Sequence, residues 1–123
     1  MENSVYIQGA RVVSDGAVFR ADITIEQGLI TRVGSGFDNP DELPVIDASG
    51  LYALPGFMDV HTHGAAGVDV NEGSAAGLRK IGRFFASQGV TAWLCSILTD
   101  TPEQTLRCIA AAKEVIEGGP YDG

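Results

Sequence analysis

The chain has 123 residues, 45% of them apolar, and a formal net charge of −8. No run approaches the roughly 18 consecutive apolar residues of a membrane helix, and so acidic a chain lacks the basic surface that nucleic acid or an anionic membrane requires. Met1-Glu2-Asn3-Ser4 is no basic-then-apolar leader, and Cys95 and Cys108 form no CxxC pair, so a reducing cytoplasm is the expected compartment.

The first fifty residues read as short strands between turns. Val5-Tyr6-Ile7 and Arg11-Val12-Val13 lead into Ser14-Asp15-Gly16, a hairpin signal. Val18 to Ile25 alternates, with Ala21, Ile23 and Ile25 on one face and Arg20, Asp22 and Thr24 on the other. Gln27-Gly28 turns the chain into Leu29 to Val33. Residues 34–44 form a polar loop. Val45-Ile46-Asp47 and Leu51 to Leu54 then complete a small antiparallel system with one apolar face to cover.

After Pro55 the pattern becomes alternating strand and helix. Phe57 to His63 is a strand, and Gly64-Ala65-Ala66-Gly67 a flexible connection. Ser74 caps a helix whose apolar stripe is Leu78, Ile81, Phe84 and Phe85, and Gly89 stops it. Val90 to Leu98 is a nearly continuous apolar run, as in a parallel strand buried on both faces. Thr101-Pro102-Glu103-Gln104 is a capping box opening a second helix, with Leu106, Ile109, Ala110 and Ile116 inward and Gly118-Gly119-Pro120 as its stop.

The chemistry sits at the end of the strand after Pro55-Gly56. His61 and His63 are spaced i, i+2, which in an extended segment puts both rings on one face with Cα atoms roughly 6.5–7 Å apart. Two imidazoles so placed can share one metal ion at about 2.0–2.1 Å. Asp59 lies two residues earlier on the same face, where it can orient a ligand or simply bond backbone amides. Asp69 and Glu72 read as solvated loop carboxylates, Cys95 as a small packing residue, and Trp93, Phe84 and Phe85 as core.

Pro55-Gly56-Phe57-Met58-Asp59-Val60-His61-Thr62-His63 resembles the first barrel strand of the amidohydrolase superfamily. His63-Gly64-Ala65-Ala66-Gly67-Val68-Asp69-Val70 and Gly89-Val90-Thr91-Ala92-Trp93-Leu94 bring it nearest to the N-acetylglucosamine-6-phosphate deacetylase family. Cys95-Ser96 departs from the proline-threonine pair usual there. The resemblance implies an α/β fold: residues 1–54 as the β-rich part of a small β-sandwich domain, and 55–123 as the first two βα units of an incomplete (β/α)8 barrel. It also implies one or two divalent ions (zinc, iron, cobalt or similar) held partly by His61 and His63, with an amino-sugar phosphate as substrate. The remaining ligands, the general base and the phosphate contacts would lie beyond Gly123, so an isolated 123-residue chain is expected to be inactive.

Two readings compete with this one. Another amidohydrolase, such as a cyclic-amide hydrolase or a deaminase, would use the same strand. A truncated, non-catalytic piece would serve only folding or assembly. Exposed parallel-strand edges favour a homodimer in either case.

Overall fold

The computed structural model describes residues 3–39 and 42–119. Pro120, and with it the last residue of the expected helix stop, lies outside the described residues, as do positions 40 and 41 of the polar loop. The chain divides into two compact units, 1–55 and 56–123.

In the first unit β1 (Val5–Ser14), β2 (Ala17–Glu26) and β3 (Leu29–Gly34) form an antiparallel meander. Its turns take positive φ at Asp15 (51°) and Gly16 (75°), then at Gln27 (52°) and Gly28 (79°). The two short strands expected before residue 14 are one strand interrupted by a bulge. Gln8 and Gly9, between Ile7 and Ala10, face the single residue Asp22 between Ala21 and Ile23. Asp22 fills the irregularity, its carboxylate accepting from the Gly9 amide (2.7 Å) and the Tyr6 hydroxyl (2.9 Å).

β4 (Val45–Asp47) and β5 (Tyr52–Ala53) do not extend the antiparallel pattern. Both pair with β1 in parallel, on the side away from β2. The loop after β3 is long enough to carry the chain past two strands, so β4 enters running with β1. The buried centre of this unit is Ala10, Val12, Ala21, Ile23 and Ala48.

The second unit is strand, helix, strand, helix. β6 (Phe57–Thr62) and β9 (Val90–Cys95) pair in parallel, while α1 (Ala75–Ser87) and α2 (Pro102–Glu117) supply the helices. Residues 64–67 are not a flexible link. β7 (Gly64–Ala65) and β8 (Val68–Asp69) make a minimal hairpin around Ala66 and Gly67, at φ 53° and 74°. A single 3-10 turn, Val70–Glu72, follows, and Asp69 and Glu72 close a capping box around it.

Ser74 and Thr101 cap the two helices as expected, accepting from Gly77 N and Gln104 N. Gly89, at φ 80°, follows the end of α1. The second half of the expected box at Thr101 is absent, because the Gln104 side chain bonds the Asn71 carbonyl instead. Leu78, Ile81 and Phe85 are buried, but Phe84 is exposed. In α2 the expected inward stripe is wrong. Leu106, Ile109, Ala110 and Ile116 are exposed, and the helix buries Cys108 and Ala111. Cys108 Sγ reaches the Asn71 carbonyl, and Ala111 packs in one cluster with Val70, Leu78, Ile81 and Phe85, so the inward face of α2 is lined by small side chains. β9 is not buried on both faces either, since Leu94 stands 59% exposed. No helix among the described residues is long and apolar enough to cross a membrane.

Candidate metal centre

The end of β6 is irregular in a way that aims its histidines. Asp59 is opposite Trp93 and Thr62 opposite Cys95, so β6 carries one residue more than β9 between these pairs. Asp59 sits at the start of this bulge, and its carboxylate accepts from the His61 main-chain N–H at 3.0 Å. It therefore holds His61 through the backbone, and no hydrogen bond from Asp59 to either imidazole is present among the described residues. A bulge of this kind bends the strand and re-aims the side chains that follow.

His61 is the penultimate residue of β6, and His63 lies one residue past its end, in a bend. Their Nε2 atoms stand 3.2 Å apart, with ring planes at 86° and centroids 4.9 Å apart. Two nitrogens bound to one tetrahedral ion at about 2.0–2.1 Å would be separated by about 3.3–3.4 Å. The pair thus fits two adjacent positions on a single ion.

His63 is the better fixed of the two. Its Nδ1–H donates to the Ser96 carbonyl at 2.8 Å, so in the neutral ring Nε2 is the acceptor nitrogen, and it faces His61 Nε2. Its own carbonyl accepts from Val70 N (2.8 Å), and the Thr62 carbonyl before it accepts from Ser96 N (2.8 Å). The Thr62 hydroxyl donates to the Gly64 carbonyl (3.1 Å) and accepts from the Gly64 amide (3.3 Å). Position 64 must be glycine, because a side chain there would run into the Val68 carbonyl.

A second set of polar side chains secures the segment after β9. Asn71 accepts from Leu98 N (2.9 Å) and donates to the Leu98 carbonyl (3.2 Å) and to Asp100 (3.4 Å). Its own carbonyl takes the Gln104 amide and Cys108 Sγ. Asn71, Ser96 and Gln104 were not singled out from sequence. The one available signal was a lone amide side chain following Val68-Asp69-Val70. Among the described residues, no three His, Cys, Asp or Glu side chains converge on one point, and the histidine pair stands without a third such side chain.

No family model matches the chain. Among curated proteins it is similar to a dihydroorotase of Citrifermentans bemidjiense, 35% identical over 95 residues, covering 75% of this chain and 22% of that one. The fold is similar to part of N-acetylglucosamine-6-phosphate deacetylase from Pasteurella multocida, with a TM-score of 0.87 at 20% identity over 98% of this chain and 32% of that one. The chain is a relative of the amidohydrolase superfamily. A D-hydantoinase from Bacillus sp. AR9 agrees with this assignment, with a TM-score of 0.62 and 27% identity over 90% of this chain and 24% of that one. The chain spans about a third or less of the length of each of these proteins. The mixed α/β architecture is the one the superfamily resemblance leads one to expect.

Proposed function

We propose that His61 and His63 supply two ligands of a divalent metal ion in a hydrolase of amide bonds, the region after Pro55 being the start of its barrel. The observation that carries this is the pair of Nε2 atoms 3.2 Å apart, one of them held in its ligating tautomer by the Ser96 carbonyl. When bound, the ion would supply Lewis acidity toward an amide carbonyl and toward water. The chain's own contribution is positional. Ser96 fixes the His63 ring, the Asp59 carboxylate fixes the His61 main chain, and the hairpin at Ala66-Gly67 holds the His63 carbonyl through Val70. A work site in a reducing cytoplasm, with Cys95 and Cys108 as free thiols, belongs to the same proposal.

We take the substrate to be N-acetylglucosamine 6-phosphate, deacetylated to the amine and acetate. The deacetylase likeness, over nearly the whole chain, supports it. A second reading, hydrolysis of a cyclic amide, is favoured by the sequence likeness to a dihydroorotase. Metal uptake tests the site directly. Zinc titration by calorimetry should show one ion per chain. His61→Ala and His63→Ala should each weaken it by about tenfold or more, since each removes one of two ligands. Zinc uptake by both variants as tight as that of the parent chain would remove the metal assignment. Assay of the full-length protein on acetylated amino-sugar phosphates and on cyclic imides then separates the two substrates.

A further inference from the structure

The first unit carries a row of two arginines and a tyrosine in which, among the described residues, neither arginine has an ion-pair partner. Arg20 on β2 is the direct partner of Arg11 on β1, and Arg11 is the direct partner of Tyr52 on β5. Like charges directly opposite each other in a strand pair are destabilising. Here the opposition occurs in a chain of net charge −8, where acidic partners are plentiful. Among the described residues neither guanidinium has one: the ion pairs are Arg79 with Glu114 and Lys113 with Glu117. The carboxylate that feels Arg20 is Asp47, and it is held by the Ser49 amide at 2.9 Å.

Arg11 is already oriented. Its Nη1 donates to the Tyr52 hydroxyl at 3.3 Å, and its guanidinium lies 5.5 Å from the Tyr52 ring centroid. The bulge puts Gly9 beside the row at φ 74°, where a Cβ would come within 3.4 Å of Arg20 Nη2 and 3.1 Å of Ser49 Oγ. The missing side chain leaves room. A cavity of about 450 Å³ opens there, walled by Gly9, Arg11, Arg20 and Tyr52 and by the apolar Val18 and Phe19. That volume falls within the range of small-molecule sites, about 300–1,000 Å³.

We propose that this cavity binds a small organic oxyanion, a phosphate or carboxylate group carrying an apolar or ring-shaped body. Two guanidinium forks present parallel N–H donors that match either oxyanion, and the bound charge cancels their mutual repulsion. Val18, Phe19 and the Tyr52 ring receive the body. This goes beyond the hydrolase reading and stands independently of it.

Calorimetric titration of the intact chain with phenyl phosphate and with benzoate tests the proposal. Saturable binding of either is expected, and the tighter of the two identifies the oxyanion. Arg11→Gln and Arg20→Gln should each weaken it by about tenfold or more, as loss of a charge-assisted pair implies. Arg83→Gln, an exposed change of equal charge on α1, should leave it unaltered. Arg20→Gln without ligand should melt no lower than the parent, because it removes a like-charge contact. Absence of saturable binding by both anions, or an equal loss in Arg83→Gln, would overturn the site.

Discussion

The two units build their interiors from opposite materials. The sheet of the first is centred on Ala10, Ala21 and Ala48 with Val12 and Ile23, and its shape is fixed by ladder register and tight turns. The second is centred on Ile81, Leu78, Phe85 and Val70 with Ala111, and its strand ends are tied down by side chains bonding main-chain groups. A sheet with a small-residue centre has little to lose by truncation and no room for enlargement. A strand–helix unit with few ladder bonds depends on bulk and on individual polar ties. The candidate metal ligands sit in the second kind of structure, where single residues decide geometry.

That contrast can be broken by two substitutions of opposite sense. Ile81 is fully buried, and Ile81→Ala should cost about 2–5 kcal/mol through lost burial plus a residual cavity. Ala10 is equally buried, and Ala10→Leu should cost about 1–3 kcal/mol by overpacking. Denaturant unfolding of both variants measures the pair. If Ala10→Leu were neutral, the first unit would have a loose centre and the contrast would fail.

Sequence legibility followed the same division. Turns needing positive φ, such as Asp15-Gly16 and Gln27-Gly28, are written in residue type and were readable. So were the caps at Ser74 and Thr101, because each rests on one side chain and one amide. The parallel pairing of β4 and β5 was not, since strand direction depends on where a long loop delivers the chain. The buried face of α2 was missed for a different reason. Close helix packing selects Cys108 and Ala111 for smallness, whereas periodicity weighted by size pointed to Leu106 and Ile116. At the candidate site the histidine pair was legible from its spacing, but the Ser96 carbonyl that orients His63 was not, because a backbone group has no sequence signature.

The polar ties of the second unit sharpen the comparison at lower energy. Asn71→Ala removes the bonds to Leu98 N, the Leu98 carbonyl and Asp100 in an exposed setting. A loss of about 1–2 kcal/mol is expected, since water can replace part of what is removed. Hydrogen exchange should show the Leu98 amide opening faster in this variant while amides in the middle of β1 are unchanged. Equal acceleration in both units would mean that Asn71 acts on global stability rather than as a local tie.

The smallest expected effects are pH-dependent ones in the first unit, where polar groups serve the sheet. Burial pushes the Tyr6 hydroxyl above its ordinary value of 10.0, and the bond to Asp22 raises it further. The folded state then holds that proton more tightly than the unfolded chain does. Its contribution is complete below pH 10 and is lost as pH climbs through the raised value. Asp47 has the opposite sign. Hydrogen bonds from Ser49 hold its carboxyl below 3.8, so its contribution is present above that pH and disappears as pH falls through the lowered value. Melting temperature measured against pH should fall at both ends, with Tyr6→Phe flattening the alkaline limb alone and Asp47→Asn the acid limb alone. Because Tyr6 and Asp22 together brace the bulge at Gly9, an alkaline limb unchanged in Tyr6→Phe would show that the bulge is held by the Asp22–Gly9 bond without the phenol.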